Sequence, residues 1–271
     1  MSLHIARMRF IFAICFIIGG KAFVHKLSPV HFAPVAPRSR LASTLKPYLE
    51  KLIDGQDLSA VDTEDAWVQI MEGARAEQVA SMLCLMRMKG ETATEIAGCV
   101  RGMRSFAVPV HVPGNMLDIA GTGGDGAHTI NISTASVILA AAAGAQVCKF
   151  GNRSVSSMCG SADVLEALGI NVNLTPEQVA ECCAECGVAF MFAPNHYPAM
   201  KNVAPVRKAL GIRTVFNILG PMTNPAGAQR VVIGVYHDSL LPLMARALQE
   251  VSTGINSGTY AFGWSLNYNV K

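Results

Sequence analysis

Gly121-Thr122-Gly123-Gly124-Asp125-Gly126 sets four glycines around one carboxylate. Glycine amides can come close to a ligand and cradle phosphate oxygens. A carboxylate among them would repel a bare phosphate, but it suits a ribose hydroxyl or a hydrated metal ion. The run formally matches the G-x-G-x-x-G loop of dinucleotide folds. Those folds also need an acid about 20 residues further on, to hold a ribose. Here the next acid after Asp125 is Asp163. A plain tight turn with a solvated Asp would carry the same residues.

Asn131, Ser133 and Thr134 follow at the expected start of a helix. One of them is expected to cap it, and together they also suit an anion at a helix N-terminus. A second run, Lys149-Phe150-Gly151-Asn152-Arg153-Ser154-Val155-Ser156-Ser157, offers two cations and three hydroxyls. One loop supplies glycine amides and a carboxylate, the other positive charge. The pair fits a ligand with several phosphates, a ribose and a divalent cation, whereas a surface loop with two solvated bases would explain the second run alone. No Ser-His-Asp or paired-carboxylate arrangement is present. His128 and His196 are read as hydrogen-bonded structural residues. Cys183-x-x-Cys186 has no second Cys pair or His pair beside it, so it does not read as a zinc site, and the eight cysteines are taken as reduced.

The elements that must position these residues alternate. Strands are expected at "MLDIA", "AQVCKF", "VAFMFA" and "QRVVIGVY", with a short one at "NVNL". Helices are expected between them, including a broken pair interrupted at Pro205 and Gly211. Such alternation means a mostly parallel sheet flanked by helices, with ligands at the strand C-termini, where both loops fall. Residues 46–106 read as all helix, with Asp62 or Thr63 as one cap and Thr92-x-x-Glu95 as a capping box; Thr175 and Gln178 form another further on. Residues 254–271 show neither pattern.

Of the 271 residues, 51% are hydrophobic and 15% charged, which excludes a disordered chain. Seven of the 22 basic residues and none of the 19 acidic ones lie in residues 1–49, so the remainder is net −4 and is not a nucleic-acid binder. Arg7 and Arg9 precede an apolar run, Phe10 to Ile18, too short to span a bilayer, and an acid-free Ser/Pro/Arg stretch follows Ala22-Phe23. This order resembles the two-part plastid presequences of algae with complex plastids; an ordinary secretory leader is the alternative. No membrane segment is expected in the mature chain.

"GTGGDGAHTINIST", "KFGNRSVSS", "GSADVLEALG" and "PVRKALGIRTVFNILGPMTNP", in that order, resemble the anthranilate phosphoribosyltransferase family of tryptophan biosynthesis. The resemblance implies transfer of the 5-phosphoribosyl group from phosphoribosyl pyrophosphate to the amine of anthranilate, with magnesium as cofactor. It assigns phosphoribosyl pyrophosphate to Gly121, Gly124, Asp125, Thr129, Asn131, Ile132, Ser133, Thr134, Lys149, Gly151, Asn152, Arg153, Ser154, Ser156, Ser157 and Ser161. Asp125, Lys149 and Arg153 stand as the catalytic set, Ser133 as a magnesium ligand, and Gly121, Asn152 and Arg207 as contacts for anthranilate. The family usually has His where this chain has Phe150, which removes a polar contact near the aromatic substrate. The family also continues further and supplies an adjacent Asp-Glu pair for magnesium, whereas no acid follows Glu250 here.

The expected organisation is therefore a leader at 1–45, a small helical domain at 46–108 that dimerises, an α/β domain at 109–250 that is incomplete at its C-terminus, and a tail at 251–271 outside the family. Competing readings are a pyrimidine nucleoside phosphorylase-like enzyme, disfavoured by Asn152-Arg153 and the "NIST" run, and an inactive truncated paralogue.

Overall fold

The computed structural model describes residues 44–123, 130–154 and 159–252, together with the backbone of 260–265. Most of the leader lies outside these residues. Leu45, counted with it, is fully buried in the core.

Four helices open the fold: α1 (Lys46–Ile53), α2 (Ala60–Glu72), α3 (Ala76–Lys89) and α4 (Ala93–Arg104). Short-range chemistry sets their ends. Thr92 accepts from the Glu95 amide while the Glu95 carboxylate accepts from the Thr92 amide, the reciprocal box expected from the sequence. The cap of α2 differs from expectation. Ser59 takes that place and accepts from the Asp62 amide at 3.1 Å, while the Thr63 hydroxyl turns inward to donate to the Ser59 carbonyl. Ser59 has the extended backbone a cap requires, and Asp62 and Thr63 already lie inside the helix.

Helices α2 and α4 pack backbone to backbone. A Cβ on Gly102 would sit 2.6 Å from the Trp67 Cβ and 2.8 Å from the Glu64 carbonyl oxygen. Gly102→Ala is expected to lower stability by about 1–3 kcal/mol through overpacking, although alanine is the better helix former. Urea unfolding of the two proteins checks this; equal midpoints would contradict the close approach.

The α/β part runs β1 (Leu117–Gly121), α5 (Ile132–Ala142), β2 (Val147–Gly151), α6 (Ser161–Ala167), α7 (Pro176–Cys186), β3 (Val188–Phe192), α8 (Ala193–His196), α9 (Ala204–Leu210), α10 (Phe216–Leu219), β4 (Arg230–Val235), α11 (Leu240–Ser252) and β5 (Tyr260–Ser265). The strands lie in the order β3-β2-β1-β4-β5, and every pair is parallel. Strand alternation divides the side chains between two cores. Cys148, Phe150, Ala189, Met191, Val231 and Ile233 join the main core with the helical domain. Phe190 and Phe192 face the other way and pack with Ala162, Leu165 and Val172.

Three expectations are corrected. "NVNL" forms no strand: the Asn171 side chain accepts from the Asn173 amide at 2.9 Å, a local turn that competes with sheet pairing, and only Val172 is buried. Pro205 does not break a helix but lies in the first turn of α9, where its missing N–H leaves nothing unsatisfied. The tail, expected to be without a strand, supplies β5, which pairs along the whole of β4.

The two parts are closely joined. Arg104 donates through Nε and Nη2 to the Met222 carbonyl at 3.0 and 2.6 Å. The segment between them is clamped where the Val108 amide donates to the His196 carbonyl at 2.8 Å and His196 Nδ1 lies 3.2 Å from the Val108 carbonyl oxygen. His196 is thus a hydrogen-bonded structural histidine, while His128 lies outside the described residues. Among the described residues no helix is long and apolar enough to cross a membrane.

Candidate active site

Lys149 is the centre of the arrangement. It sits on β2, only 2% exposed, on the sheet face that carries α5. Its Nζ donates to the Ile119 carbonyl of β1 at 2.6 Å and to Ser133 Oγ, in the first turn of α5, at 3.3 Å. Burial pushes its pKa below the ordinary lysine value, while the charge of Asp118 pulls the other way.

Asn131 stands at the cap position of α5 but makes no capping bond with its side chain, which corrects the expectation for this trio. Its amide reaches the Gly160 carbonyl at 3.3 Å instead, and Thr134 Oγ1 donates to Ser161 Oγ at 3.0 Å. The polar side chains after the first loop therefore bond to Gly160 and Ser161, where α6 begins. The first amides of α5 are left without a cap from Asn131, a setting that favours an anion.

The first loop is anchored at its entrance. The Thr122 amide donates to the Gly234 carbonyl at 2.9 Å, and Thr122 Oγ1 accepts from the Tyr236 amide at 3.1 Å. Gly123 then turns with φ of +65°, a left-handed conformation that favours glycine. Gly121 and Gly123 are exposed. Gly124, Asp125, Thr129, Ser156 and Ser157 lie outside the described residues.

Arg153 takes a different course from Lys149. Its guanidinium forms a two-pronged pair with Glu166 at 2.5 and 2.7 Å, approaches Asp163 at 3.7 Å and lies 5.3 Å over the Phe192 ring. Asp163 also accepts from the amides of Ser154 at 3.0 Å and Gly160 at 2.7 Å, and these donors hold its carboxyl below the usual range. A Cβ on Gly160 would fall 2.2 Å from the Ser154 nitrogen, so Gly160 approaches the Arg153–Ser154 backbone this closely only as glycine. Asn152 is exposed at the turn; its Oδ1 accepts from the Arg153 amide at 2.7 Å, and its carbonyl accepts from the Ala162 amide at 3.2 Å.

The opposite face of the sheet holds a second polar group that sequence reasoning missed. Asp118 is fully buried; it accepts from the Phe150 amide at 3.3 Å and from Asn224 Nδ2 at 2.7 Å. Asn224 Nδ2 also donates to the Cys148 carbonyl at 2.9 Å, and its Oδ1 accepts from the Ala226 amide at 2.9 Å. Burial raises the Asp118 pKa, against the opposing pull of Lys149 and Asn224. One signal was available: an acid inside the apolar run "MLDIA" has to find partners.

Phe150 packs into this face, 5.6 Å from the Tyr197 ring, whose hydroxyl donates to the Thr223 carbonyl at 2.6 Å. Arg207 lies partly buried on α9, 5.0 Å over Phe216, which in turn lies 4.9 Å from Trp67 of α2. The structure brings Asn131, Ser133, Thr134, Lys149 and Ser161 together around the start of α5, with Ile132 exposed beside them, while Asn152, Arg153 and Ser154 are held against α6. Arg207 sits toward the helical domain, over Phe216, which packs against Trp67.

Among the described residues no cluster of three His, Cys, Asp or Glu side chains could hold a metal ion. Cys183 is buried with its Sγ 3.7 Å from the Val147 carbonyl oxygen, consistent with a packing role. Asp163 and Glu166 are committed to Arg153 and to backbone amides. The Ser133 hydroxyl is an oxygen ligand of the kind a hydrated magnesium accepts when substrate phosphates supply the rest.

Residues 46–107 match the family model described as the glycosyl transferase family helical bundle domain, and residues 113–257, more than half of the chain, match its a/b domain. The chain belongs to this glycosyl transferase family. Curated members similar to it include an anthranilate phosphoribosyltransferase of Polynucleobacter asymbioticus, 53% identical over 214 residues, covering 78% of this chain and 63% of the relative. Another, from a Polaromonas species, is 57% identical over 185 residues, covering 67% and 53%. The crystal structure of anthranilate phosphoribosyltransferase from Thermus thermophilus superposes with a TM-score of 0.72 at 45% identity, covering 75% of this chain and 62% of that one. The Saccharomyces cerevisiae enzyme in complex with phosphoribosyl pyrophosphate and magnesium gives 0.71 at 31% identity, covering 79% and 64%. This family member thus spans a little over half to about two thirds of the length of these relatives.

Proposed function

We propose that this glycosyl transferase family member transfers the 5-phosphoribosyl group from phosphoribosyl pyrophosphate to the amine of anthranilate, releasing pyrophosphate, in tryptophan biosynthesis. The observation that carries the reading is a buried lysine held between β1 and a helix N-terminus without a side-chain cap, on a strand that runs on into the second loop, and parallel sheets bind ligands at the C-terminal ends of their strands. In the reaction a C–N bond forms at C1 of the ribose as the C–O bond to pyrophosphate breaks, and the amine gives up a proton. An aryl amine is neutral at pH 7 and attacks without a strong base. Charge neutralisation and positioning are therefore the main requirements.

Lys149, Arg153 and the Asn131–Thr134 turn bind the phosphates, with Gly121, Gly151, Ser154 and Ser161 shaping the seat. Asp125, Gly124, Thr129, Ser156 and Ser157 complete it by the sequence assignment. Ser133 is the candidate ligand for magnesium, which when bound neutralises charge on the diphosphate. Gly121, Asn152 and Arg207 receive anthranilate; a guanidinium can pair with its carboxylate. The chain works as a homodimer through residues 46–108, beside the α/β domain at 109–250 and the tail at 251–271. The leader ahead of Leu45 directs it to a plastid.

Incubating the purified chain with phosphoribosyl pyrophosphate, magnesium and anthranilate should consume anthranilate and release pyrophosphate in equal amounts. It should also rescue a tryptophan auxotroph lacking this step. Phosphorolysis of thymidine, or no turnover of either substrate pair, would overturn the reading. Sedimentation of the purified chain and imaging of a fluorescent fusion carrying the leader test the dimer and the destination.

A further inference from the structure

We infer that Glu166 is the positioning residue for Arg153, fixing its guanidinium end-on so that the Nε edge faces an incoming phosphate. The inference rests on the phosphoribosyl pyrophosphate reading of the site. A guanidinium has five N–H donors in a rigid fork. Glu166 engages Nη1 and Nη2, at 2.5 and 2.7 Å. That end-on pairing leaves the edge formed by Nε and one Nη for a second, side-on fork, the geometry in which Arg takes a phosphate. Phe192 backs the plane of the group at 5.3 Å, so it is held on two sides.

Position matters more than net charge here. Arg153 stands between Glu166 and Asp163, so the cluster as a whole is negative. Its attraction for an anion is therefore directional. A free arginine side chain spreads over many rotamers; with 48% of this one exposed, only its partners restrict it. Phe192 is in register with Gly151, and Phe190 with Lys149, so Arg153 and Lys149 serve the same sheet face from opposite sides of Gly151. Lys149 leans toward β1, and Arg153 leans toward β3.

The test is calorimetric titration of the full chain with phosphoribosyl pyrophosphate and magnesium, using Glu166→Ala, Glu166→Asp, Arg153→Ala and the Glu166→Ala/Arg153→Ala double variant, with thermal melts as the folding control. Glu166→Ala is expected to bind about tenfold more weakly, in line with losing one ordered charge-assisted contact. Glu166→Asp should recover part of that loss. The double variant should bind no worse than Arg153→Ala alone, because Glu166 acts through Arg153. Unchanged or tighter binding by Glu166→Ala would overturn the positioning role, as would additive losses in the double variant. A parent chain that binds nothing would overturn the phosphoribosyl pyrophosphate reading, and this inference with it.

Discussion

Lys149→Met is expected to weaken phosphoribosyl pyrophosphate binding about a hundredfold, from the loss of roughly 2–3 kcal/mol of charge-assisted interaction with the phosphates. Its folding stability should stay within about 1 kcal/mol of the parent, because an apolar residue of similar volume removes the burden of burying a charge along with its hydrogen bonds. The side chain is only 2% exposed, and burial depresses its pKa. A lysine kept in such a place, which among the described residues has a carbonyl and a hydroxyl as hydrogen-bond partners and no close ion pair, works against the fold and so is expected to serve a ligand. Calorimetric titration beside a urea melt reads both quantities. Unchanged affinity would remove Lys149 from the site; a collapse in stability would make it structural.

Asn224→Leu is expected to lower stability by about 3 kcal/mol, since it strips partners from a buried carboxylate, the Cys148 carbonyl and the Ala226 amide together. The deficit should also depend on pH. Burial raises the folded-state pKa of Asp118 above its unfolded value, so its contribution to stability is present in acid and is lost as pH rises through the folded pKa. The Asn224 amide opposes that rise by donating to the carboxylate. Without it the folded pKa climbs further and the loss grows. The difference between variant and parent should therefore be smallest near about pH 4, close to the unfolded carboxylate pKa, and larger at neutral pH. Urea midpoints at the two pH values check the trend, and a deficit independent of pH would remove Asp118 as its source.

Much of this was legible in the chain. The Thr92–Glu95 and Thr175–Gln178 boxes form as their spacing requires, because capping acts within four residues. The alternation of apolar runs placed both loops at strand C-termini, and the sheet is parallel throughout. The cap at Ser59 was missed because Ser, Asp and Thr within five residues all qualify locally; the backbone entering α2 chose among them. "NVNL" and the β5 segment exchanged roles for a related reason. Asn171 makes a local turn, whereas a weakly patterned stretch pairs with β4 through its backbone.

By itself, the sequence determined the helical start, the alternating α/β order, the two loops and the residue types that can meet a sugar diphosphate. Those features follow from contacts between near neighbours and from the period of apolar residues. Only the tertiary structure decided that Lys149 leans toward β1 while Arg153 is gripped by Glu166 over β3, that Asn131 bonds to Gly160 at the start of α6 instead of capping, and that Asp118 meets Asn224, 106 residues away. Which side chain faces which neighbour depends on strand register and on which sheet face each helix covers. Distant segments set both as they pack, and no local spacing encodes them.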